Sequence, residues 1–130
     1  MKWLVLVAAC GATALPPAPV KETDLNHGGA MVKIEDGTVA GYVTIVDFWA
    51  ESCGACVPVH EQVAAGIANQ PKTILRKVDV GDGLGPLAQA YEIGALPHYN
   101  VYDTKRRLRF ILVGSDCLRA PVLAKQLLAE

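Results

Sequence analysis

The segment "DFWAESCGACVPVH", residues 47–60, contains two cysteines, Cys53 and Cys56, separated by two residues. It overlaps the run "YVTIVDFWA" (42–50), which is rich in β-branched and apolar residues and predicts a strand buried on both faces. Residues 54–69 then carry apolar residues at a mostly helical spacing: Val57, Val59, Val63, Ala64 and Ile67. The sequence therefore predicts a C-x-x-C motif between the end of a strand and the first turn of a helix.

A C-x-x-C motif can be a redox pair, half of a metal site or a structural disulfide. At a helix start, unpaired N–H groups and the positive end of the helix dipole stabilise a thiolate on Cys53. A spacing of three residues brings both sulfurs to one helix face, which is compatible with a disulfide. These features favour a redox pair, and the other two interpretations remain open.

The metal interpretation needs about four ligands. The remaining candidates form no second paired motif; they are Cys117, His27, His60 and His98. We therefore predict no metal. A structural disulfide across so short a loop would restrict the unfolded chain only a little.

The rest of the chain alternates between strand and helix patterns. Strands are predicted at 30–34, 42–50, 73–80, 97–103 and 108–114, and helices at 54–69, 85–93 and 120–130. This order indicates an α/β fold, with a mixed sheet and helices on both faces. A chain of 130 residues with a formal net charge of −1 fits one domain that does not bind nucleic acid. We interpret the basic cluster "KRRLR" (105–109) as a hairpin turn.

The N-terminus, "MKWLVLVAAC", has the layout of an export signal, with Lys2 followed by an apolar run at 3–9. That run is shorter than the roughly 20 residues of a membrane-spanning helix. "VAAC" (7–10) resembles the lipobox of bacterial lipoproteins, which implies cleavage before Cys10 and a lipid on Cys10. We predict a signal peptide at 1–9, a proline- and glycine-punctuated lipid-anchor tether at 10–29 and a folded domain at 30–130.

Two segments resemble the thioredoxin family: "VDFWAESCGAC" (46–56) resembles its active-site segment, and "YEIGALP" (91–97) resembles the segment that ends in its cis-proline. The similarity runs from about residue 42 to 130. It implies a thioredoxin-like fold, a central mixed sheet flanked by helices. The family's first helix is expected to be missing or reduced, because 34–42 leaves no room for it.

The resemblance also implies roles for the residues nearest the substrate. Cys53 would be the attacking thiol and Cys56 the resolving thiol, and the two would form the redox-active disulfide. Pro97 would be the cis-proline, and Leu96 would present its backbone to the substrate. Gly114 would lie on the substrate-facing rim.

Three further residues match the surroundings of the family's cysteine pair. Asp47 would be the buried carboxylate that exchanges protons with Cys56, because burial raises its pKa. Lys77 would neighbour that carboxylate, and Trp49 would pack behind the site.

Other positions near the motif have less defined expectations. His60 is expected to be a surface or core histidine, although a nearby imidazolium could favour a thiolate. His98 either touches substrate or fills the strand, and Cys117 is expected to be a passive thiol. Ser52 and Ala55 stand where the family usually has tryptophan and proline. The resemblance implies that Ser52 reduces the flat aromatic surface used to dock partners, and that Ala55 changes the reduction potential of the disulfide.

We therefore expect a thiol–disulfide oxidoreductase that reduces protein disulfides in cell redox homeostasis, without cofactors and as a monomer. It would lie on the periplasmic side of a bacterial membrane, attached only through a lipid anchor, or in the cytoplasm if the leader is not an export signal. Its partners would be protein disulfide or dithiol substrates and a membrane electron donor. The alternatives are a periplasmic disulfide oxidase or isomerase, and a non-catalytic binding module.

Overall fold

The computed structural model describes residues 16–83 and 85–130, so the predicted signal peptide at 1–9 and Cys10 lie outside the described residues. A five-stranded sheet has the order β1-β3-β2-β4-β5. The strands are β1 Glu22–Asp24, β2 Val43–Trp49, β3 Thr73–Asp79, β4 His98–Tyr102 and β5 Leu108–Val113. The helices are α1 Cys56–Ile67, α2 Pro86–Ala90 and α3 Ala120–Leu128, with 3-10 turns at Ile34–Gly37 and Gly114–Arg119.

The sheet is mixed, as predicted. β1 and β2 both pair in parallel with β3, whereas β2–β4 and β4–β5 are antiparallel. β2 is the central strand, and each of its residues from 43 to 48 is buried. This burial explains why its sequence is apolar on both faces rather than alternating.

Apolar side chains fill both faces of β2, which confirms the predicted layers. Val43 and Ile45 belong to the core cluster that contains α1 and α3. Val46 and Phe48 belong to a second cluster, which contains α2 and the 3-10 turn at Ile34. Because side chains alternate along a strand, Asp47 faces the same side as Ile45, towards α1.

The N-terminal edge of the sheet differs from the prediction. Residues 30–33 form no strand, and β1 instead lies within the segment predicted to be a tether. Its flanks are fixed by backbone hydrogen bonds, from Leu25 N–H to the Lys77 carbonyl and from Leu75 N–H to the Lys21 carbonyl, both at 2.8 Å. The folded domain therefore begins before residue 30. A short, polar edge strand has no apolar alternation by which a pattern could reveal it.

The segment between β1 and β2 contains one short turn of 3-10 helix, Ile34–Gly37, and no α-helix. This agrees with the expectation that the first helix is reduced. Gly37 packs so closely on Leu25 that a Cβ at that position would lie 2.7 Å from a Leu25 methyl group. The reduced turn is thus packed tightly against the residue that follows β1.

The basic cluster lies in the β4–β5 turn, as interpreted from the sequence. The buried Asp103 carboxylate accepts hydrogen bonds from the backbone of Lys105 and Arg107 and from the side chains of Arg107 and Arg109. These arginines therefore neutralise a carboxylate of the chain itself. None of the helices that the structure describes is long and apolar enough to cross a membrane.

Candidate redox-active site

Cys53 and Cys56 form a disulfide, with a Cα–Cα separation of 5.4 Å. The pair lies directly after β2, and α1 begins at Cys56 rather than at residue 54. Residues 53–55 form a turn closed by a 3.2 Å hydrogen bond from Cys56 N–H to the Cys53 carbonyl. Cys56 is 3 % exposed whereas Cys53 is half-buried, so Cys53 is the more accessible sulfur.

The start of α1 favours negative charge on the adjacent sulfur. No side chain caps this helix, and its first turn contains no acidic residue. Its first N–H groups and the positive end of its dipole are therefore not offset by a local carboxylate. A thiolate on Cys53 is stabilised by this arrangement.

A groove of about 440 Å³ runs beside Cys53. One wall includes Ser52, Cys53 and Ala55, and the opposite wall is formed by residues 93–96, which end in Leu96. Most of the lining side chains are small, so the groove exposes much backbone. An extended chain could lie here with its own sulfur close to Cys53.

Pro97 directly follows the groove-lining residues 93–96. The Leu96–Pro97 peptide bond is cis, as the resemblance implied. Gly114 donates its N–H to the Pro97 carbonyl at 2.9 Å, which holds the Gly114 rim against this segment. The space next to the Gly114 Cα is open, because a Cβ built there would meet no atom within 4 Å.

Asp47 lies in the core, 1 % exposed. Its Oδ2 is 2.8 Å from His60 Nδ1, whereas its buried Oδ1 has no hydrogen-bond partner among the described residues. Burial raises the pKa of Asp47, and the hydrogen bond and charge of His60 partly oppose that rise. Asp47 is thus a buried carboxyl group with one oxygen available for a proton.

Asp47 shares a cleft of about 160 Å³ with Cys56. The other lining residues are Trp49, Val57, His60, Glu61 and Lys77. The structure therefore brings together the predicted carboxylate and the predicted resolving cysteine. The predicted Trp49 lines the same cleft, and its indole nitrogen is buried without a hydrogen-bond partner among the described residues.

Lys77 is the register partner of Asp47 on β3. Its ammonium group lies 4.0 Å from the Asp24 carboxylate and 4.9 Å from the centre of the Trp49 ring. It lowers the pKa of Asp47 through its charge. Lys77 thus neighbours Asp47 as expected, and it acts on the carboxylate from a distance.

His60 is the site residue whose contact the sequence did not predict. It was expected to be an ordinary surface or core histidine, yet its ring bridges Asp47 and Glu22, with both contacts at 2.8 Å. The hydrogen bond to Asp47 is the main factor that raises the pKa of His60. Its position four residues after Cys56, one turn along the same helix face, was the available signal.

Two other residues have structural positions. His98 is buried in β4, where its Nε2 lies 2.9 Å from the Asn100 side-chain oxygen, and burial lowers its pKa. It therefore fills the strand and does not reach the groove. Cys117 is fully buried with its sulfur 3.6 Å from the Pro97 carbonyl, and burial raises its pKa to about 12.

Comparisons with known proteins agree with this geometry, although no family model matches the chain. Thioredoxin from Chlamydia pneumoniae is 32 % identical over 65 residues, which are 48 % of this chain and 60 % of that protein. The match thus spans less than two thirds of that relative. A mutant thioredoxin from Halobacterium salinarum superposes with a TM-score of 0.65 at 22 % identity, covering 85 % of this chain and 94 % of that one.

Oxidised thioredoxin from Plasmodium falciparum superposes with a TM-score of 0.59 at 22 % identity, covering 83 % of this chain and 97 % of that one. At such identities the superpositions establish the fold. The sheet order and the C-x-x-C disulfide between β2 and α1 are features of this chain itself. The superpositions and these features show that the chain has the thioredoxin fold, and over the matched 65 residues its sequence is similar to thioredoxin.

Proposed function

We propose that the chain is a thiol–disulfide oxidoreductase that reduces protein disulfides. The observation that carries this proposal is the asymmetric environment of one disulfide. Cys53 lines an open groove, whereas Cys56 is buried and lines the cleft that contains Asp47. Such an arrangement gives one sulfur access to a substrate and the other access to an internal base.

The reaction begins with the reduced pair. The Cys53 thiolate attacks a substrate disulfide, forms a mixed disulfide and releases the first substrate sulfur as a thiolate. Cys56 then attacks the Cys53 sulfur, forms the Cys53–Cys56 bond and releases the second substrate sulfur. The substrate gains two electrons and the protein loses two, so the protein must be reduced again before the next cycle.

The second step requires that Cys56 lose its proton. Asp47 is the carboxylate in the same cleft, and its Oδ1 has no protein partner within the described residues. Asp47 takes the Cys56 proton, directly or through a water molecule in the cleft. The backbone of Leu96, on the opposite wall of the groove, holds the substrate chain beside Cys53.

The test is reduction of a protein disulfide, such as that of insulin, with dithiothreitol as the electron source. Cys53→Ser removes turnover, whereas Cys56→Ser retains attack and accumulates a mixed disulfide with the substrate. Cys117→Ser is the matched control and retains turnover, because that buried thiol does not line the groove. If Cys53→Ser reduces the substrate as fast as the wild type, the proposal is wrong.

The same variants test the binding-module alternative. A module that only holds a partner would retain that partner after Cys53→Ser and would form no mixed disulfide in the Cys56→Ser protein. The oxidase or isomerase alternative uses the same residues, so these variants do not separate it from a reductase. The reduction potential of the Cys53–Cys56 disulfide decides between the two directions of electron flow.

We further propose that the protein is exported and attached to a bacterial membrane by a lipid on Cys10. The support is the leader and the "VAAC" segment of the sequence. An exported reductant also requires an electron donor, and a membrane protein that passes electrons across the membrane would meet that need. Radiolabelled fatty acid incorporated by the wild type and not by Cys10→Ser would support the anchor; equal labelling or none in both would contradict it.

A further inference from the structure

A line of three side chains connects the buried Asp47 to the protein surface. Asp47 Oδ2 lies 2.8 Å from His60 Nδ1, and His60 Nε2 lies 2.8 Å from Glu22 Oε1. The exposed fractions of the side chains increase along the line, with 1 % for Asp47, 18 % for His60 and 40 % for Glu22. The line crosses three elements, because Glu22 lies on β1, Asp47 on β2 and His60 on α1.

The two contacts define the protonation state of the ring. An ionised carboxylate can only accept hydrogen bonds, and a neutral imidazole has only one N–H to donate. With Asp47 and Glu22 both ionised, the two contacts are hydrogen bonds at the same time only when both ring nitrogens carry protons. Asp47 and Glu22 both raise the pKa of His60, and its partial burial opposes them. The imidazolium is the state that this geometry stabilises.

We propose that His60 is a positioning residue of the redox site: held as an imidazolium between Asp47 and Glu22, it keeps Asp47 ionised to receive the Cys56 proton and then releases its own proton towards Glu22 and solvent. This inference rests on the proposed function. The protons balance, because Asp47 gains the proton that Cys56 loses and the His60 Nε2 proton leaves at the exposed end of the line. The negative charge left on the Cys56 sulfur departs with the second substrate sulfur when Cys56 attacks Cys53, so the cleft has the same charge before and after the whole step.

Other titratable groups also surround Asp47. They are Glu22 and Asp24 on β1, Lys77 on β3, Tyr99 on β4, Cys56, His60 and Glu61 on α1, and Cys117 on the 3-10 segment after β5. Lys77 is the other nearby cation, but it forms no hydrogen bond with Asp47 in the described structure. Tyr99 and Cys117 stay neutral at physiological pH, because burial and the Asp47 charge raise the pKa of both. His60 is therefore the cation that acts on Asp47 through direct contact.

The direct test is an NMR titration of the Asp47 side-chain carboxyl carbon in the oxidised protein. The variants are His60→Gln, Glu22→Gln and, as a matched control, Glu61→Gln, which removes the same charge from a neighbouring carboxylate on α1. We expect His60→Gln to raise the Asp47 midpoint by about one pH unit or more, which is a tenfold change in proton affinity. Glu22→Gln should instead lower the titration midpoint of the His60 ring, because the Glu22 charge raises the pKa of His60. Glu61→Gln should not raise the Asp47 midpoint, because the loss of a nearby negative charge can only lower a carboxyl pKa.

The exchange assay provides a second measurement. In His60→Gln, Asp47 holds a proton up to a higher pH, so the rate of substrate release from the mixed disulfide should fall about tenfold near neutral pH and recover in alkaline solution. A purely structural histidine would change the stability of the protein without moving this pH profile. If His60→Gln does not fold, Glu22→Gln provides the test through the titration midpoint of the His60 ring, because Glu22 is at the exposed end of the line and raises the pKa of His60.

The possible outcomes separate the two proposals. An unchanged Asp47 midpoint and pH profile in active, folded His60→Gln, or an unchanged His60 midpoint in folded Glu22→Gln, would overturn the role of His60 and leave the oxidoreductase activity in place. A wild-type protein without any exchange activity would overturn the proposed function. The role of His60 would then fall as well, because Cys56 would have no proton to transfer. Parallel shifts of the midpoint and the profile would support both proposals.

Discussion

Asp47 and Cys56 line one narrow cleft beneath the redox disulfide, although they belong to different elements of the fold. Asp47 lies near the end of the buried part of β2, and Cys56 is the first residue of α1. The turn between them thus places a buried carboxyl group beside the less accessible sulfur. This relationship makes the two cysteines chemically unequal.

Asp47→Asn should have opposite effects on stability and activity. The folded-state pKa of Asp47 is raised above its usual value of 3.8, so the proton stabilises the fold at low pH. That stability is fully present below the unfolded-state pKa and is lost as the pH rises through the folded-state pKa. Urea unfolding at pH 4 and pH 6 should show the variant gaining stability relative to the wild type as the pH rises.

In the exchange assay, the same variant should release substrate from the mixed disulfide more slowly at neutral pH, because asparagine accepts no proton from Cys56. We expect a loss of about a hundredfold, at the lower end of the usual range for a general base. Asp24→Asn is the control, because that carboxylate is half-exposed and contacts Lys77 rather than His60. Equal rates for wild type and Asp47→Asn would contradict the proton transfer.

Gly114→Ala should destabilise the protein without a steric clash. Gly114 has a φ of +62°, a conformation that costs an L-residue about 1 kcal/mol, yet a Cβ there would meet no atom within 4 Å. Denaturant unfolding should therefore show a loss of about 1 kcal/mol. Gly94→Ala, which is equally open and lacks a positive φ, should change the stability by less. A similar loss in both variants would assign the effect to something other than backbone conformation.

Asp103→Asn should weaken the β4–β5 hairpin. Hydrogen bonds from Arg107, Lys105 and Arg109 lower the pKa of Asp103 to about 2, and they outweigh its desolvation. Because this folded-state pKa is depressed, the stabilisation is present above the unfolded-state value near 3.8 and is lost as the pH falls towards 2. Loss of charge-assisted hydrogen bonds should cost about 1–3 kcal/mol at neutral pH.

The control for this prediction is Lys105→Ala, since Asp103 contacts the backbone of Lys105 and not its side chain. Its unfolding midpoint in urea should match that of the wild type. If Asp103→Asn were no less stable than the wild type at pH 7, the carboxylate would not be holding the turn.

The reduced protein should react with iodoacetamide at Cys53 first. Cys53 is half-buried beside the groove, whereas Cys117 is fully buried and its pKa is raised to about 12. A thiolate is the reactive form, so Cys117 should be modified only after unfolding. Peptide mapping by mass spectrometry at pH 7 measures the order. Modification of Cys117 before Cys53 in the folded protein would contradict both assignments.

The sequence predicted β2, the C-x-x-C and the segment at Pro97 because their signals are local. β2 is a continuous run rich in β-branched residues, and the cysteines lie where this strand pattern ends and the helical spacing of apolar residues begins. β1 was missed because it pairs with β3 residues about fifty positions away in the sequence. The short polar segment Glu22–Asp24 has no apolar alternation that would predict a strand.

The pairing of His60 could not be read from the sequence for a related reason. The spacing from Cys56 placed the histidine on the correct helix face, but its partners depend on how α1 packs on β2 and β1. Glu22 itself lay in a segment interpreted as a tether. The contact between His60 and Glu22 therefore required the tertiary structure.

The most direct test of the central claim is the reduction potential of the Cys53–Cys56 disulfide, measured by equilibration against dithiothreitol and glutathione buffers. For a reductant we predict a value near −270 mV, about that of thioredoxin. A value near −120 mV, about that of a strong periplasmic oxidant, would contradict the reductive direction and identify the protein as a disulfide oxidase on the same fold.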